Sequence, residues 1–379
     1  MIEVSRAKGS YIYDNDNNRY LDFVAGVSAC SVGHCNKEVI NAISNQSEKY
    51  MHVMVYGEFV TKPSLDLAKL LAKNLPKRLN CTYFTNSGTE ALEGSMKLAR
   101  RHTGRKKIIA AKNAYHGSTM GALTLMGLDE RKKPFEPLIP DVEFIDFNSF
   151  QDIHKIDEKT SCVILETIQG SAGFILPAEG YLSSVKKKCK EVGALLILDE
   201  IQTGIGRTGK LFGFKHAKIV PDILCLGKSL TGGYMSLAAT VVSKKIAKSI
   251  SNKNPGIFMH GPTYMANPLA CSVAIENINL LFSYRWEDKI KNIEKILKIG
   301  LKKISKNNAI KEYRVIGAIG ILEMKDKVNV SSIQKKFVEH GIWLRPFSNL
   351  IYLMPPYIIS QKDLKFLLNQ LENVINLEY

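Results

Sequence analysis

Five places along this chain put a chemically capable residue directly after a short apolar run. The stretch "PDILCLGKSLTGG" carries Lys228 just beyond Ile223-Leu224-Cys225-Leu226. "ALLILDE" ends in Asp199 and Glu200, and "CVILET" delivers Glu166. "KIIAAKNAYHG" leads to Tyr115 and His116, and "CTYFTNSGTEAL" leads to Ser87, Gly88 and Thr89. A lysine withdrawn from water has a lowered pKa and becomes a usable amine nucleophile. An aspartate at the end of a buried strand needs a cationic or hydrogen-bonding partner. A protonated ring nitrogen is one such partner, and the carboxylate keeps that ring an electron sink. Ser-Gly-Thr at a helix start offers N–H groups and hydroxyls to a phosphate, and a tyrosine can stack on a flat ring.

Each residue also has a plainer use. Lys228 could simply cap a strand, and Asp199 could cap the turn that follows it. "SGTE" fits an ordinary capping box, and Tyr115 could belong to a core or an interface. The combination is more specific than its parts. A phosphate cradle, a stacking ring, an acid for a ring nitrogen and an amine for an aldehyde are the four requirements of pyridoxal 5'-phosphate.

The elements around these residues explain how they could meet. In open α/β sheets, ligands bind beyond the carboxyl ends of the strands, which is where all five groups fall. From about residue 60 to 280, short apolar runs alternate with helical or loop segments, the pattern of an α/β fold with a mostly parallel central sheet covered by helices. "SLDLAKLLAKNL" and "TEALEGSMKLARRHTG" have helical spacing, the second stopping at Gly104. After about residue 285 the chain changes to a lysine-rich amphipathic helix, "RVIGAIGILEM", a helix over 331–340, "GIWLRP", "LIYLMPPY" and a last helix over 360–375. This predicts a small α+β domain. Near the N-terminus "YIYD" and "RYLDF" read as two strands around "NDNN". The expected division is 1–45 as an N-terminal segment joining the small domain, 46–282 as the large cofactor-binding domain, and 283–379 as the C-terminal small domain.

Composition narrows the partners. The 379 residues are 45% hydrophobic and 23% charged, ordinary for a soluble globular protein. The apolar runs are too short to span a bilayer, and the first residues lack the apolar core of a signal peptide, so a cytoplasmic protein without a membrane partner is expected. Lys and Arg outnumber Asp and Glu by 52 to 36, a net charge of +16. The excess is scattered over solvated faces, which argues against nucleic acid and suits small anionic substrates. Seven cysteines, at 30, 35, 81, 162, 189, 225 and 271, show no C-x-x-C spacing. Reduced thiols and no metal site are expected.

Several blocks resemble the class III aminotransferases of fold type I: "NSGTEALEGSMKLAR", "NAYHGST", "HGPTYMANPLACSVA" and, most specifically, "LILDEIQTGIGRTGKLFGFKHAKIVPDILCLGKSLTGG". The resemblance covers nearly the whole chain. It implies that Lys228 holds pyridoxal phosphate covalently and, once released, moves a proton as the catalytic base. It implies that Asp199 pairs with the pyridine nitrogen, that Tyr115 and Ile201 press on the ring's two faces, and that Ser87, Gly88 and Thr89 hold the phosphate. Gln202 would lie near the ring's phenolic oxygen, and His116 and Glu166 would complete the surroundings. Pro262 and Thr263, in "HGPT", would reach the cofactor of a second subunit, which requires a homodimer with sites at the subunit interface. Within the family, "GIWLRPFSNLIYLMPPYIIS" is similar to the branch that makes diaminopelargonic acid in biotin synthesis. That implies Arg345 as the grip on the keto-amino acid's carboxylate, with Tyr352, Arg207 and Gly261 lining the same pocket. Ser171 stands where the acetylornithine and ornithine branch carries a glutamate. Val27, Ser28 and Ser118 depart from the biotin branch in the pocket. The alternative is another class III aminotransferase acting on acetylornithine-like, ornithine-like or other ω-amino donors.

Overall fold

Continuous apolar runs with no polar alternation belong to strands covered on both faces, and the chain has several in succession. A computed structural model describes residues 2–55 and 58–379. Its strands in chain order are β1 (Val4–Lys8), β2 (Tyr11–Asp14), β3 (Arg19–Asp22), β4 (Cys81–Thr85), β5 (Lys107–Ala111), β6 (Val142–Ile145), β7 (Thr160–Glu166), β8 (Leu195–Asp199), β9 (Ile223–Leu226), β10 (Ala238–Val242), β11 (Ile310–Ile316), β12 (Ile319–Met324), β13 (Ile342–Trp343) and β14 (Leu350–Leu353). The central sheet runs β4-β10-β9-β8-β7-β5-β6. Strands β5 to β9 are parallel, and β10 runs against both β9 and β4.

Every residue of β7, β8, β9 and β10 is buried. Successive side chains alternate between two cores, as the two-residue period of a strand requires. Val163, Leu165, Leu196, Leu198, Leu224 and Leu226 face one core. Cys162, Ile164, Leu195, Ile197, Ile223 and Cys225 face the other, against the helix Gly88–Thr103. Ser87 caps that helix and Gly104, at φ 72°, ends it, a left-handed stop that glycine adopts without a Cβ clash.

In the C-terminal third, "RVIGAIGILEM" divides into β11 and β12, turning at Gly317 (φ 54°). Strand β14 adds to β12, while β13 pairs in parallel with β3, Ile342 opposite Leu21 and Trp343 opposite Asp22. The lysine-rich segment is a helix, Trp286–Ile304, burying Trp286, Ile290, Ile293, Leu297, Leu301 and Ile304 along one stripe. The last helix spans Gln361–Glu378. Among the described residues, no helix is long and apolar enough to cross a membrane.

One consequence of the parallel register sets up the site. Glu166, Asp199 and Cys225 lie side by side at the carboxyl ends of β7, β8 and β9. Lys228 follows Cys225 by three residues, so it emerges at the same edge of the sheet.

Candidate active site

The backbone that carries Lys228 is unusual. Gly227 is extended (φ −172°) and Lys228 sits at φ 45°, in the left-handed region that a residue with a side chain seldom adopts. Neighbouring groups hold it there. The Asn277 side-chain amide donates to the carbonyls of Ser229 (2.8 Å) and Leu230 (3.1 Å). The Ser229 hydroxyl donates to the Ser28 carbonyl at 2.7 Å. Lys228 is half-buried, and its amine has no hydrogen-bond or ion-pair partner among the described residues. Burial lowers its pKa. The charges of Asp199 and Glu166 oppose the shift only in part, and Arg207 adds to it. The amine is therefore biased towards the neutral, nucleophilic form.

Asp199 is 6% exposed. Its Oδ1 accepts the Ile201 N–H at 3.0 Å, and its Oδ2 lies 2.8 Å from His116 Nδ1. An ionised carboxylate has about four acceptor positions, so two neighbours leave room for a further donor. Burial alone would lower the His116 pKa, but its hydrogen bond to Asp199 and that residue's charge outweigh burial and raise it. The contact fixes the Asp199 carboxylate in position. Glu166 is pushed up to about 7 by burial, with Asp199 adding and His116 opposing. Its Oε1 accepts the Gly170 N–H at 3.2 Å, while Oε2 is buried without a partner, as is His116 Nε2. Glu200 is also raised to about 7, chiefly by burial. It accepts from the Thr167 hydroxyl and the Gly213 and Phe214 N–H groups, so its work is to brace the turn after β8.

A cavity of about 460 Å³ opens at this sheet edge. It takes Ser87, Gly88 and Thr89 from the helix start, Tyr115 and His116 from the loop after β5, and Glu166 from β7. It takes Asp199, Ile201 and Gln202 from β8 and the turn beyond, and Lys228 from the loop after β9. The Ser87 hydroxyl oxygen accepts the Glu90 N–H at 3.2 Å, and Glu90 Oε2 accepts the Asn86 N–H at 2.6 Å. This is the ordinary capping role, and it leaves the first-turn N–H groups of Gly88 and Thr89 to a ligand. A Cβ on Gly88 would lie 2.6 Å from Ile201 Cδ1, and one on Gly227 3.2 Å from Ile201 Cγ2. The two glycines are what let Ile201 lie in the cavity wall. Met235 and Ser236 also line it. They precede β10, the antiparallel strand, so reading strand ends alone missed them.

A second cavity, of about 350 Å³, shares Tyr115, Glu166, Gln202 and Lys228 with the first and extends to Arg345 and Tyr352. Val27 and Ser171 line it as well. Arg345 has no hydrogen bond or ion pair among the described residues, so its guanidinium is open to a ligand.

Not every expected residue joins. Arg207 is corrected: it is fully buried and lines neither cavity. Its guanidinium donates to the carbonyls of Pro355 (2.7 Å), Ser28 (3.2 Å) and Ala318 (3.3 Å) and lies 4.6 Å from the Tyr357 ring centroid. A guanidinium committed to three carbonyls ties loops together and does not face substrate. Ser28 is likewise buried outside both linings, and Ser118 is exposed outside them. Gly261, Pro262 and Thr263 lie on a partly exposed loop that does not reach this chain's own cavities.

The donor set fits one kind of occupant. Open N–H groups at a helix start suit a phosphate. An unpaired amine whose pKa burial lowers suits an aldehyde, and a buried carboxylate with spare acceptor positions suits a ring N–H⁺. Among the described residues, no group of three or more His, Cys, Asp or Glu is placed to hold a metal ion.

Comparison with known proteins agrees with this chemistry. The family model described as aminotransferase class-III matches residues 1–375. An adenosylmethionine-8-amino-7-oxononanoate aminotransferase of Buchnera aphidicola is 40% identical, the match covering 98% of this chain and 92% of that protein. An acetylornithine aminotransferase of Methanopyrus kandleri is 35% identical, covering 97% and 92%. Among solved structures, the adenosylmethionine-8-amino-7-oxononanoate aminotransferase of Methanocaldococcus jannaschii superposes with a TM-score of 0.93 at 34% identity, covering 99% and 93%.

Proposed function

This chain belongs to the class III aminotransferases, pyridoxal-phosphate-dependent enzymes, and from that premise we propose that it converts 8-amino-7-oxononanoate to 7,8-diaminononanoate, the amino-transfer step of biotin synthesis. One observation carries the choice of acceptor. The unpaired guanidinium of Arg345 lines the same cavity as Lys228, together with Phe174, Ile321, Leu350 and Met354. That suits a carboxylate at one end of an aliphatic chain and a reacting carbonyl at the other. A planar fork matches a carboxylate in two-point contact, and Tyr352 lies beside it in the lining. Three Buchnera relatives of the biotin branch, at 36–40% identity, support the same reading.

The residues divide the work. The Lys228 amine would hold the aldehyde carbon of pyridoxal phosphate. Freed, Lys228 Nζ takes the proton from the donor's carbon and returns it one bond away, a task for a neutral amine. Bound pyridoxal phosphate supplies an electron sink for the electrons of that C–H bond. Asp199, fixed by its hydrogen bond with His116, would accept from the ring N–H and keep it protonated. Tyr115, Ile201, Gln202 and Glu166 line the same cavity and would confine the ring. The Gly88 and Thr89 N–H groups and Ser87 hold the phosphate. Pro262 and Thr263, which do not line their own chain's cavities, would reach the cofactor of a second subunit in a homodimer.

The test follows each half-reaction by the cofactor's visible absorbance. Enzyme loaded with an amino group should return to its starting spectrum when given 8-amino-7-oxononanoate, releasing the diamine. Failure of that acceptor, with turnover of N-acetylornithine and glutamate, would favour the second reading that the 35% identical Methanopyrus relative supports. Lys228→Ala should abolish the absorbance of covalently held cofactor. Persistence of that band would remove Lys228 from its role.

A further inference from the structure

The segment after β3 holds a run of unfavourable backbone. Ala25 (φ 46°), Gly26 (φ 58°), Val27 (φ 60°) and Ser28 (φ 67°) are left-handed in succession. Glycine adopts that conformation freely, alanine and serine do so at a cost, and a β-branched valine is an outlier there. Such strain persists only where neighbouring groups over-determine it, and it gathers at functional sites. Asp22 supplies the first restraint. It is buried, and its Oδ1 accepts the N–H groups of Val24 (3.1 Å) and Ala25 (3.0 Å). Its Oδ2 lies 3.0 Å from His34 Nε2, which holds the carboxylate from the other side. The turn then closes on itself, the N–H groups of Ala29 and Cys30 both donating to the Ala25 carbonyl at 2.8 Å.

The far end of this turn reaches the residue after Lys228. The carbonyl of buried Ser28 accepts both the Ser229 hydroxyl and the Arg207 guanidinium. From the same segment, the Ser31 hydroxyl meets Asn277 Oδ1 at 3.3 Å, and the Asn277 amide in turn holds the carbonyls of Ser229 and Leu230. The chain beyond Lys228 presses on the same groups. A Cβ on Gly233 would lie 2.7 Å from Cys30 Sγ, and one on Gly232 2.5 Å from Asn277 Oδ1. Two strained segments, one carrying Lys228 at φ 45° and one ending at Ser28, are therefore hydrogen-bonded to each other across 201 positions of chain. The Lys228 amine has no polar partner of its own among the described residues, so its backbone is what aims it.

We propose that the left-handed turn Ala25–Ser28, held by Asp22 and His34, aims the Lys228 amine, with Asp22 and Ser229 as positioning residues at its two ends. The inference rests on the reading that Lys228 is joined to the cofactor's aldehyde, and it is independent of which donor or acceptor the enzyme uses. Loss of either end lets the backbone of Lys228 relax from its left-handed conformation. The phosphate cradle at Gly88 and Thr89 stays in place while the amine is misdirected. A displacement of about 1 Å at a reacting group lowers a rate roughly a hundredfold.

Two ligands of the full-length apoprotein separate aiming from general structure. Pyridoxal 5'-phosphate must react with the amine, and its attachment is followed by the visible absorbance of the covalent product, with Lys228→Ala as the blank. Pyridoxine 5'-phosphate has an alcohol in place of the aldehyde, cannot react, and reports the cavity alone through its Kd. Ser229→Ala and Asp22→Ala should each slow attachment roughly tenfold to a hundredfold, while the Kd of pyridoxine 5'-phosphate shifts less than about threefold; a merely structural role would move both. Ala25→Gly makes left-handed backbone easier at the capped position, so Asp22→Ala/Ala25→Gly should regain at least about threefold of the lost rate. Unchanged attachment in Ser229→Ala would overturn the proposal, as would equal losses on the two ligands or a double variant no faster than Asp22→Ala. If Asp22→Ala does not fold, His34→Ala takes its place in the same comparison, since it loosens the carboxylate without removing the cap, and the same outcomes decide. Retention of the covalent band in Lys228→Ala would remove the premise itself. Its loss there, with wild-type attachment in Ser229→Ala, would leave Lys228 in its role and take the turn out of it.

Discussion

Substituting Gly88 by alanine tests how the cofactor cavity is built. The added Cβ would lie 2.6 Å from Ile201 Cδ1 and 3.1 Å from both Cγ1 and Cγ2. Ile201 cannot simply swing aside. Its N–H is tied to Asp199 Oδ1, its β-branched side chain has few rotamers, and its Cγ2 already fills the space that Gly227 leaves. Overpacking of this kind costs about 1–3 kcal/mol. At about 1.4 kcal/mol per tenfold, that is a fivefold to 150-fold weaker affinity for pyridoxal phosphate, since both displaced groups line the cofactor cavity. The assay is an absorbance titration of apoprotein with cofactor, alongside urea unfolding of the apoprotein. Ile201→Ala removes the obstruction while sacrificing its own contact with the ring. The double variant Gly88→Ala/Ile201→Ala should therefore bind better than the two single losses add up to, by about 1 kcal/mol or more. Wild-type affinity in Gly88→Ala, or strict additivity in the double variant, would refute the argument that Ile201 is clamped between two glycines.

Arg345→Met should raise the half-saturating concentration of the keto-amino acid about tenfold to 150-fold, from loss of a charge-assisted pair of about 1.5–3 kcal/mol, with little change in unfolding; half-reaction kinetics check it. Arg207→Met should do the reverse to stability, lowering it by about 2–4 kcal/mol in urea, because buried carbonyls of Pro355, Ala318 and Ser28 lose their donor. Stability should also depend on pH through Glu166, whose carboxyl is raised from an ordinary 4.5 to about 7. The folded state holds that proton more tightly, so this contribution is complete below about pH 4.5 and disappears as pH rises through about 7. Glu166→Gln cannot ionise, and should flatten the fall in apoprotein stability across that window by up to about 3 kcal/mol; equal slopes in variant and wild type would show that Glu166 does not titrate there.

Much of the scaffold was legible because burial on both faces leaves a plain mark. Strands β7, β8 and β9 are unbroken apolar runs, and a parallel sheet places whatever follows them at one edge. Ser87, Tyr115, Asp199 and Lys228 could be gathered by that rule alone. Strand β1 left no such mark. "VSRAK" is almost wholly exposed and is a strand only because it pairs with β2. The register of β13 against β3 was equally silent, since two residues carry no period.

The harder failures concern charge. An arginine's type says that it seeks anions or carbonyl oxygens, and its position in the chain does not say which. Arg207 sits in the most diagnostic stretch of the sequence and turned inward to carbonyls contributed by Ser28, Ala318 and Pro355, three segments remote in the chain. Arg131 sits in the charged stretch "GLDERKKPFEP" and lines the second cavity, its guanidinium carbon 4.6 Å from the centroid of the Phe347 ring. Both outcomes were set by tertiary neighbours that no local pattern encodes. The apolar runs could therefore announce where chemistry occurs, while the specificity of that chemistry depends on contacts between distant loops. That is why Ser87, Tyr115, Asp199 and Lys228 could be gathered from the chain alone, while the neighbours of Arg207 and Arg131 appeared only in the assembled fold.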